Sequence, residues 1–298
     1  MKEAFKEHKF LEKSLKQIAT INLILNEYQL SGYRLTLRQL YYQMVARGNL
    51  PNENHSYDNL GNLVTDARLA GLIDWDMIED RNRETNIPDH WEDPAEMVDA
   101  YADAFAIDKW VDQQYHLEVI VEKDALSGVL EPVCRKLDVG ITADKGYGST
   151  SMLYEIGKRL SWEAFHEKSI CIIYFGDHDP SGIDMTRDLK ERLEMFSGLD
   201  NIEVDRVALN MDQIRLWNPP ENPAKEKDNR YKSYVDKYGE SCWELDAVPP
   251  DQLAELVRSA VSSRIDNEKW EKAIQKEKDM REELHNFVDQ YNHKDMST

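Results

Sequence analysis

The sequence predicts an α/β protein: an N-terminal helix-turn-helix domain, then a Rossmann-like, mostly parallel sheet, then a helical extension. Three observations carry this expectation. Residues 1–90 show mainly helical periodicity broken by turn signals, with a single short strand pattern. From 117 to 209, apolar runs of strand length alternate with amphipathic helices, the pattern of a parallel sheet. The length of 298 residues gives each half enough chain for its own core. The expected organisation is 1–92 for the N-terminal helix and helix-turn-helix domain, 93–115 for a linker helix, 116–216 for the sheet domain, and 217–298 for a C-terminal loop and helical extension.

Residues 2–30 read as a helix, with Leu11, Leu15, Ile18, Ile21, Ile24 and Leu25 at roughly helical spacing, ended by Ser31-Gly32. Thr36 and Gln39 form a capping-box pattern that starts a second helix, running to about Arg47 before Gly48. Leu37, Leu40, Tyr41 and Met44 share one apolar face, which assigns Tyr41 to the core. Tyr42 is turned about 100° away and lies on the side of Arg38, four residues before it. That pairing suits a nucleophile beside a phosphate-binding cation, and it equally suits an ordinary surface stack of tyrosine on arginine. A third helix covers about Tyr57 to Ala70. Leu72–Ile78 reads as a strand running into the charged tip Glu79–Glu84, with Arg81-Asn82-Arg83 at its end. Helix, helix and strand hairpin is the order of a winged helix, which docks on duplex DNA.

After a linker near Asp89–Asp93 and a connecting helix over Ala95–Gln113, strands are expected at Leu117–Val121, Gly140–Ala143, Ser169–Phe175 and Ile202–Leu209. The first ends on Glu122. The third is almost wholly apolar, as a strand covered on both faces is, and runs through Gly176 into Asp177-His178-Asp179. Side chains two apart at a strand mouth point the same way, so Asp177 and Asp179 are expected to converge with Glu122 beside them. The carboxyl ends of parallel strands are where an open α/β sheet binds its ligand. Paired oxygen ligands suit a hard cation such as Mg²⁺. The alternative is a turn whose aspartates cap the following helix.

The net charge of −20 argues against indiscriminate nucleic-acid binding. The charge is uneven: residues 1–90 hold eleven Lys and Arg against thirteen Asp and Glu, whereas residues 91–216 hold thirteen against twenty-six. Acidity is thus concentrated around the aspartate pair, as expected if metal ions mediate the approach of phosphate, or as a solvated acidic surface would be. Three cysteines, Cys134, Cys171 and Cys242, form no CxxC pair, and no apolar run approaches a membrane span. A soluble, cytoplasmic protein is the expectation, with no membrane partner.

The motifs together resemble a known family. Glu122 at one strand end and the DxD pair at another resemble the toprim domain of topoisomerases, primases and some nucleases. Leu37-Arg38-Gln39-Leu40-Tyr41-Tyr42 resembles the catalytic helix of the A subunit of type IIB topoisomerases (topoisomerase VI) and its meiotic double-strand-break relatives. Val121-Glu122-Lys123-Asp124-Ala125, Asp144-Lys145-Gly146-Tyr147 and Phe175-Gly176-Asp177-His178-Asp179-Pro180-Ser181-Gly182 are similar to its toprim motifs, in the family's order, over roughly residues 34–210. Gly148-Ser149 stands where the family usually has Pro-Asp. The chain is compact, like the stand-alone Mini-A relatives, and carries no ATPase pattern.

The resemblance implies a Mg²⁺-dependent transesterase that cuts double-stranded DNA. Tyr42 would be the nucleophile and become joined to the 5′ end, with Arg38 steadying the phosphate. Glu122, Asp177 and Asp179 would hold the metal, and Glu122 would exchange a proton with the leaving oxygen. A homodimer is implied, with nucleophile and metal ligands drawn from different protomers, and a separate ATPase partner subunit is possible. Two rivals remain at this stage: a toprim nuclease using metal-activated water, and a non-catalytic DNA-binding regulator. From Asn218 onward the resemblance fades, and interleaved basic and aromatic residues (Lys225, Lys227, Arg230, Tyr231, Lys232, Tyr234) fit a phosphate contact or a solvated face.

Overall fold

The computed structural model describes residues 2–79, 88–144 and 149–295. Helix α1 (Glu12–Leu30) is shorter than its apolar pattern predicts. Residues before it cross onto the end of the third helix, where Phe5 N and Lys6 N donate to Leu69 O at 2.7 and 2.9 Å. Ile18, Ile21, Ile24, Leu25 and Tyr28 are buried, while Leu11 and Leu15 are exposed. A two-residue strand, β1 (Leu35–Thr36), leads into α2 (Leu37–Ala46) through the expected capping box, with Gln39 N donating to Thr36 Oγ1 at 3.3 Å and Thr36 N to Gln39 Oε1 at 2.8 Å.

After α3 (Asn54–Leu69), the structure departs from the expected strand. The Asp74 carboxylate accepts from Asp76 N at 2.9 Å and turns Trp75–Met77 into a 3₁₀ turn. Only β2 (Ile78–Glu79) remains extended, and it pairs in parallel with β1. Among the described residues there is therefore no antiparallel hairpin, and the expected wing tip, Arg81-Asn82-Arg83, lies outside them. Helix α4 (Pro94–Ala104) also stops short of Gln113. Phe105 is extended, and the following chain is tied by tertiary bonds: Lys109 N to the Asp138 carboxylate at 2.8 Å, and the Trp110 indole N–H to Leu137 O at 2.9 Å.

The sheet is as expected. Strands β3 (Tyr115–Val121), β4 (Gly140–Ala143), β5 (Ser169–Phe175) and β6 (Glu203–Ala208) are all parallel, in the order β4-β3-β5-β6. They are linked by α5 (Asp124–Lys136), α6 (Thr150–Phe165) and α7 (Pro180–Ser197). Strand order reverses at the β3/β5 boundary, the topological switch point where such sheets open a crevice. Alternation sorts the core into two layers. Leu117, Val119, Val121, Cys171, Ile173 and Phe175 face one side; Ile120, Ile170, Ile172 and Tyr174 face the other, under α6 and α7.

Beyond the sheet, α8 (Met211–Trp217) precedes a small antiparallel pair, β7 (Asn222–Pro223) with β8 (Ser241–Cys242), which brackets α9 (Tyr231–Tyr238). A 3₁₀ turn at Leu245–Ala247 leads to α10 (Pro250–Ser262) and the long α11 (Asn267–Asp295). Leu253, Ala254, Val257 and Val261 of α10 belong to the same buried cluster as Leu126 and Leu130 of α5, so the extension completes one layer of the sheet's core. Among the described residues no helix is long and apolar enough to cross a membrane. If α10 is core, Leu253→Ala costs about 2–5 kcal/mol, as Leu130→Ala does. Denaturant unfolding measures both, and a negligible loss for Leu253→Ala would remove α10 from the core.

Candidate active site

The switch point gathers the predicted carboxylates, held differently from the expected pair. Strand β5 ends at Phe175, so strand alternation does not carry through to 177–179. Asp177 Oδ1 accepts from Leu245 N at 2.8 Å, and its Oδ2 lies 2.8 Å from Lys123 Nζ. Asp179 is the N-cap of α7, its Oδ1 accepting from Gly182 N at 2.6 Å. The capping alternative is therefore realised for Asp179. Glu122 follows β3, and its Oε2 accepts from Asp177 N at 2.8 Å. Gly182 is required by close approach: a Cβ there would sit 2.3 Å from Asp177 O. Asp144 follows the end of β4, its N–H donating to Val121 O at 2.8 Å; Lys145 to Gly148 lie outside the described residues.

Burial, then repulsion from Asp177 and Asp179, raises the Glu122 pKa to about 7, despite the bond from Asp177 N and the pull of Lys123. Burial raises Asp177 as well, against the attraction of Lys123. Asp177 and Asp179 thus favour the protonated form of Glu122, and acidity of that kind is what a divalent cation would relieve, although among the described residues no three such side chains are grouped to hold one.

The loop that carries the aspartates is fixed by Arg206 and Trp243, which the sequence did not single out, and by His178 with Tyr234, the latter buried here and not on a phosphate-contacting or solvated face. The Arg206 guanidinium donates from Nη2 to Asp177 O at 2.5 Å and Gly176 O at 3.1 Å, and from Nη1 to Gly182 O at 2.9 Å. Burial lowers its pKa, yet its charge sits behind the acidic loop. His178 and Trp243 exchange backbone bonds of 2.9 and 3.0 Å, pinning the loop to the C-terminal segment. The buried His178 ring is neutral, its pKa lowered by burial to about 4. Its Nδ1 lies 2.8 Å from the Tyr234 hydroxyl, which is 2.9 Å from His178 O. With one proton on each group, Nδ1–H donates to the hydroxyl and the hydroxyl donates to the carbonyl.

Helix α2 supplies the other half. Tyr41 is core, as expected: Glu53 N donates to its hydroxyl at 2.8 Å. Tyr42 departs from the expectation of an outward-facing side chain, since only 4 % of it is exposed. The cause is a segment about 200 residues downstream, the Leu245–Ala247 turn, whose Ala247 joins the same buried cluster. Arg38 lies 5.8 Å from the Tyr42 ring centroid and forms ion pairs with Glu244 and, at 3.0 Å, Asp246. Lys123 Nζ reaches Glu244 at 2.9 Å and Asp246 at 3.1 Å, in addition to Asp177. Burial, then Glu244, pushes the Tyr42 phenol above its ordinary pKa, with Arg38 and Lys123 opposing. Arg38, Tyr42, Lys123 and Asp177 thus join one charge network within one chain, whereas the resemblance implied a nucleophile and metal ligands drawn from different protomers. Glu244 and Asp246 were missed; their spacing of two residues before Pro249-Pro250 repeats the carboxylate spacing of the DxD pair and was the available signal.

No family model, curated protein or solved structure matches the chain.

The raised Glu122 pKa has a defined sign in stability. Relative to an unfolded value near 4.5, its contribution is fully present below that pH and is lost as pH rises through about 7. In metal-free protein, Glu122→Gln should therefore flatten the loss of stability between pH 5 and pH 8, by on the order of 2 kcal/mol after discounting for partial exposure. Thermal melts across that range, with the two proteins compared at each pH, test it; parallel curves would place the shift elsewhere.

Proposed function

We propose that the protein is a Mg²⁺-dependent DNA-cleaving transesterase, similar to the A subunit of type IIB topoisomerases, built from a winged-helix-like domain and a toprim-like sheet. The observation that carries this reading is the network joining Arg38 and Tyr42 on α2 to Lys123 and Asp177 at the switch point. The order of the four motifs supports it independently. Tyr42 Oη forms a bond to the phosphorus of a backbone phosphodiester as the bond to the 3′ oxygen breaks, leaving the 5′ end on the tyrosine and a free 3′ hydroxyl. The phenolic proton passes to solvent, Arg38 orients the phosphate, and Glu122 would exchange a proton with the leaving oxygen. Mg²⁺ held by Glu122, Asp177 and Asp179 would supply charge stabilisation for the phosphoryl oxygens. Double-stranded DNA is the substrate and a homodimer the active unit, one tyrosine for each strand, in the cytoplasm. A separate ATPase subunit would be needed for strand passage.

A second reading has one observation in its favour. The Tyr42 phenol is buried and held protonated beside Glu244. A toprim nuclease that activates water would leave Tyr42 structural and release free 5′ phosphates.

Trapping with Mg²⁺ or Mn²⁺ on labelled duplex DNA separates the two. The transesterase yields a covalent adduct that Tyr42→Phe abolishes, and cleavage that Asp177→Asn with Asp179→Asn reduces by at least about 100-fold. Cleavage with unmodified 5′ phosphates, undiminished in Tyr42→Phe, would select the nuclease.

A further inference from the structure

Two cations from different domains converge on a single carboxylate oxygen. Arg38 Nη2, on α2, and Lys123 Nζ, just before α5, both contact Glu244 Oε2, the ammonium at 2.9 Å. The same pair also holds Asp246 Oδ2, at 3.0 Å from Arg38 Nε and 3.1 Å from Lys123 Nζ. The two acids are not equivalent. The Asp246 side chain is wholly buried, whereas the Glu244 side chain is 26 % exposed and is the one that solvent can reach. The Tyr42 phenol lies near Glu244, whose charge helps to hold it protonated. The backbone between the acids is anchored separately, through Leu245 N on Asp177, so the Glu244 side chain can leave while the turn stays in place.

A guanidinium and an ammonium converging on one anionic oxygen, beside the Tyr42 ring that Arg38 faces, are surroundings that a phosphodiester oxygen would suit. We propose that Arg38 and Lys123 form a phosphodiester-binding site, and that Glu244 is an internal carboxylate occupying it in DNA-free protein and displaced when backbone phosphate enters. The assignment of that phosphate as the scissile one rests on the transesterase reading; the site itself does not. Because Glu244 is tethered, its effective concentration at the two cations is on the order of millimolar or higher. Free inorganic phosphate therefore competes poorly, whereas a duplex that gains contacts elsewhere displaces the carboxylate. The arrangement makes the site selective for polymeric phosphate.

The test is equilibrium binding of a short duplex in EDTA, followed by fluorescence anisotropy over a salt series, so that neither metal nor cleavage enters. Glu244→Gln keeps the shape and removes the charge. It should tighten binding by about 5–20-fold and steepen the salt dependence by roughly one phosphate contact's worth, a slope near 0.9. Adding Lys123→Gln to that variant should cancel the gain. Glu271→Gln, at an exposed position on α11, controls for the loss of one negative charge from an acidic protein and should leave affinity unchanged. Unchanged or weaker binding by folded Glu244→Gln, verified by circular dichroism, overturns the proposal, as does an equal gain in Glu271→Gln. The two readings fail separately. Tighter binding without any tyrosyl adduct keeps the phosphate site and discards the transesterase; an adduct with no effect of Glu244→Gln does the reverse.

Discussion

The site depends on one buried ammonium. Lys123 sits among Asp177, Glu244 and Asp246, each within 3.1 Å. Burial opposes its charge, but these three carboxylates hold it protonated, well above the ordinary lysine pKa. Removing one partner of such a cluster strands uncompensated charge, which is why buried ion pairs are costly to break even when their net contribution to stability is small. Here the cluster also carries geometry. It joins the end of β3, the loop after β5 and the turn before α10, and through Glu244 and Asp246 it fastens the helix bearing Arg38 and Tyr42.

A second buried cation acts on the same loop by other means. Arg206 makes its described bonds to the backbone carbonyls of Gly176, Asp177, Gly182 and Leu209 and to the Thr186 hydroxyl, and so fixes the path of the main chain. Lys123 engages the Asp177 side chain and Arg206 the Asp177 carbonyl, which together set both position and orientation. His178 completes the arrangement without charge. A neutral ring bonded to Tyr234 tolerates burial that an imidazolium would resist, and the paired backbone bonds to Trp243 close the loop against the C-terminal segment. Acidic side chains that repel one another are thereby kept together by a backbone that has no freedom to part them.

Much of this was legible in the chain. The apolar run Ser169–Phe175, ended by glycine and followed by acids, marked the central strand, and the alternation after it marked the parallel sheet. The capping box at Thr36 fixed the start of α2 and hence the phase that separates Tyr41 from Tyr42. What escaped was whatever depends on distant segments meeting. Periodicity placed Tyr42 off the apolar stripe of its own helix, but burial is decided by every element that packs there, and the covering turn lies some 200 residues on. Trp75–Met77 was read as strand because its local pattern is apolar, and the bond from Asp76 N to the Asp74 carboxylate overrode it. Arg206 carries no local signal within its strand; only the topology that brings β6 beside β5 shows it to be a loop anchor.

The C-terminal segment, which carried no motif, links these parts. Between Tyr234 and Ala247 it contributes a hydrogen-bond partner for His178, a backbone partner for the aspartate loop, an N–H for Asp177, and the two carboxylates that hold Arg38 and Lys123. It therefore touches both halves of the site and has α10 as its foundation in the sheet's core. Glu244 differs from the rest of the segment in being partly exposed, with its pKa drawn down to about 2 by Lys123 and Arg38 in spite of its burial. It stays ionised at any pH the protein would meet, so protonation cannot release it. On the proposal above, release would fall to a competing anion with enough contacts of its own, as a duplex backbone has.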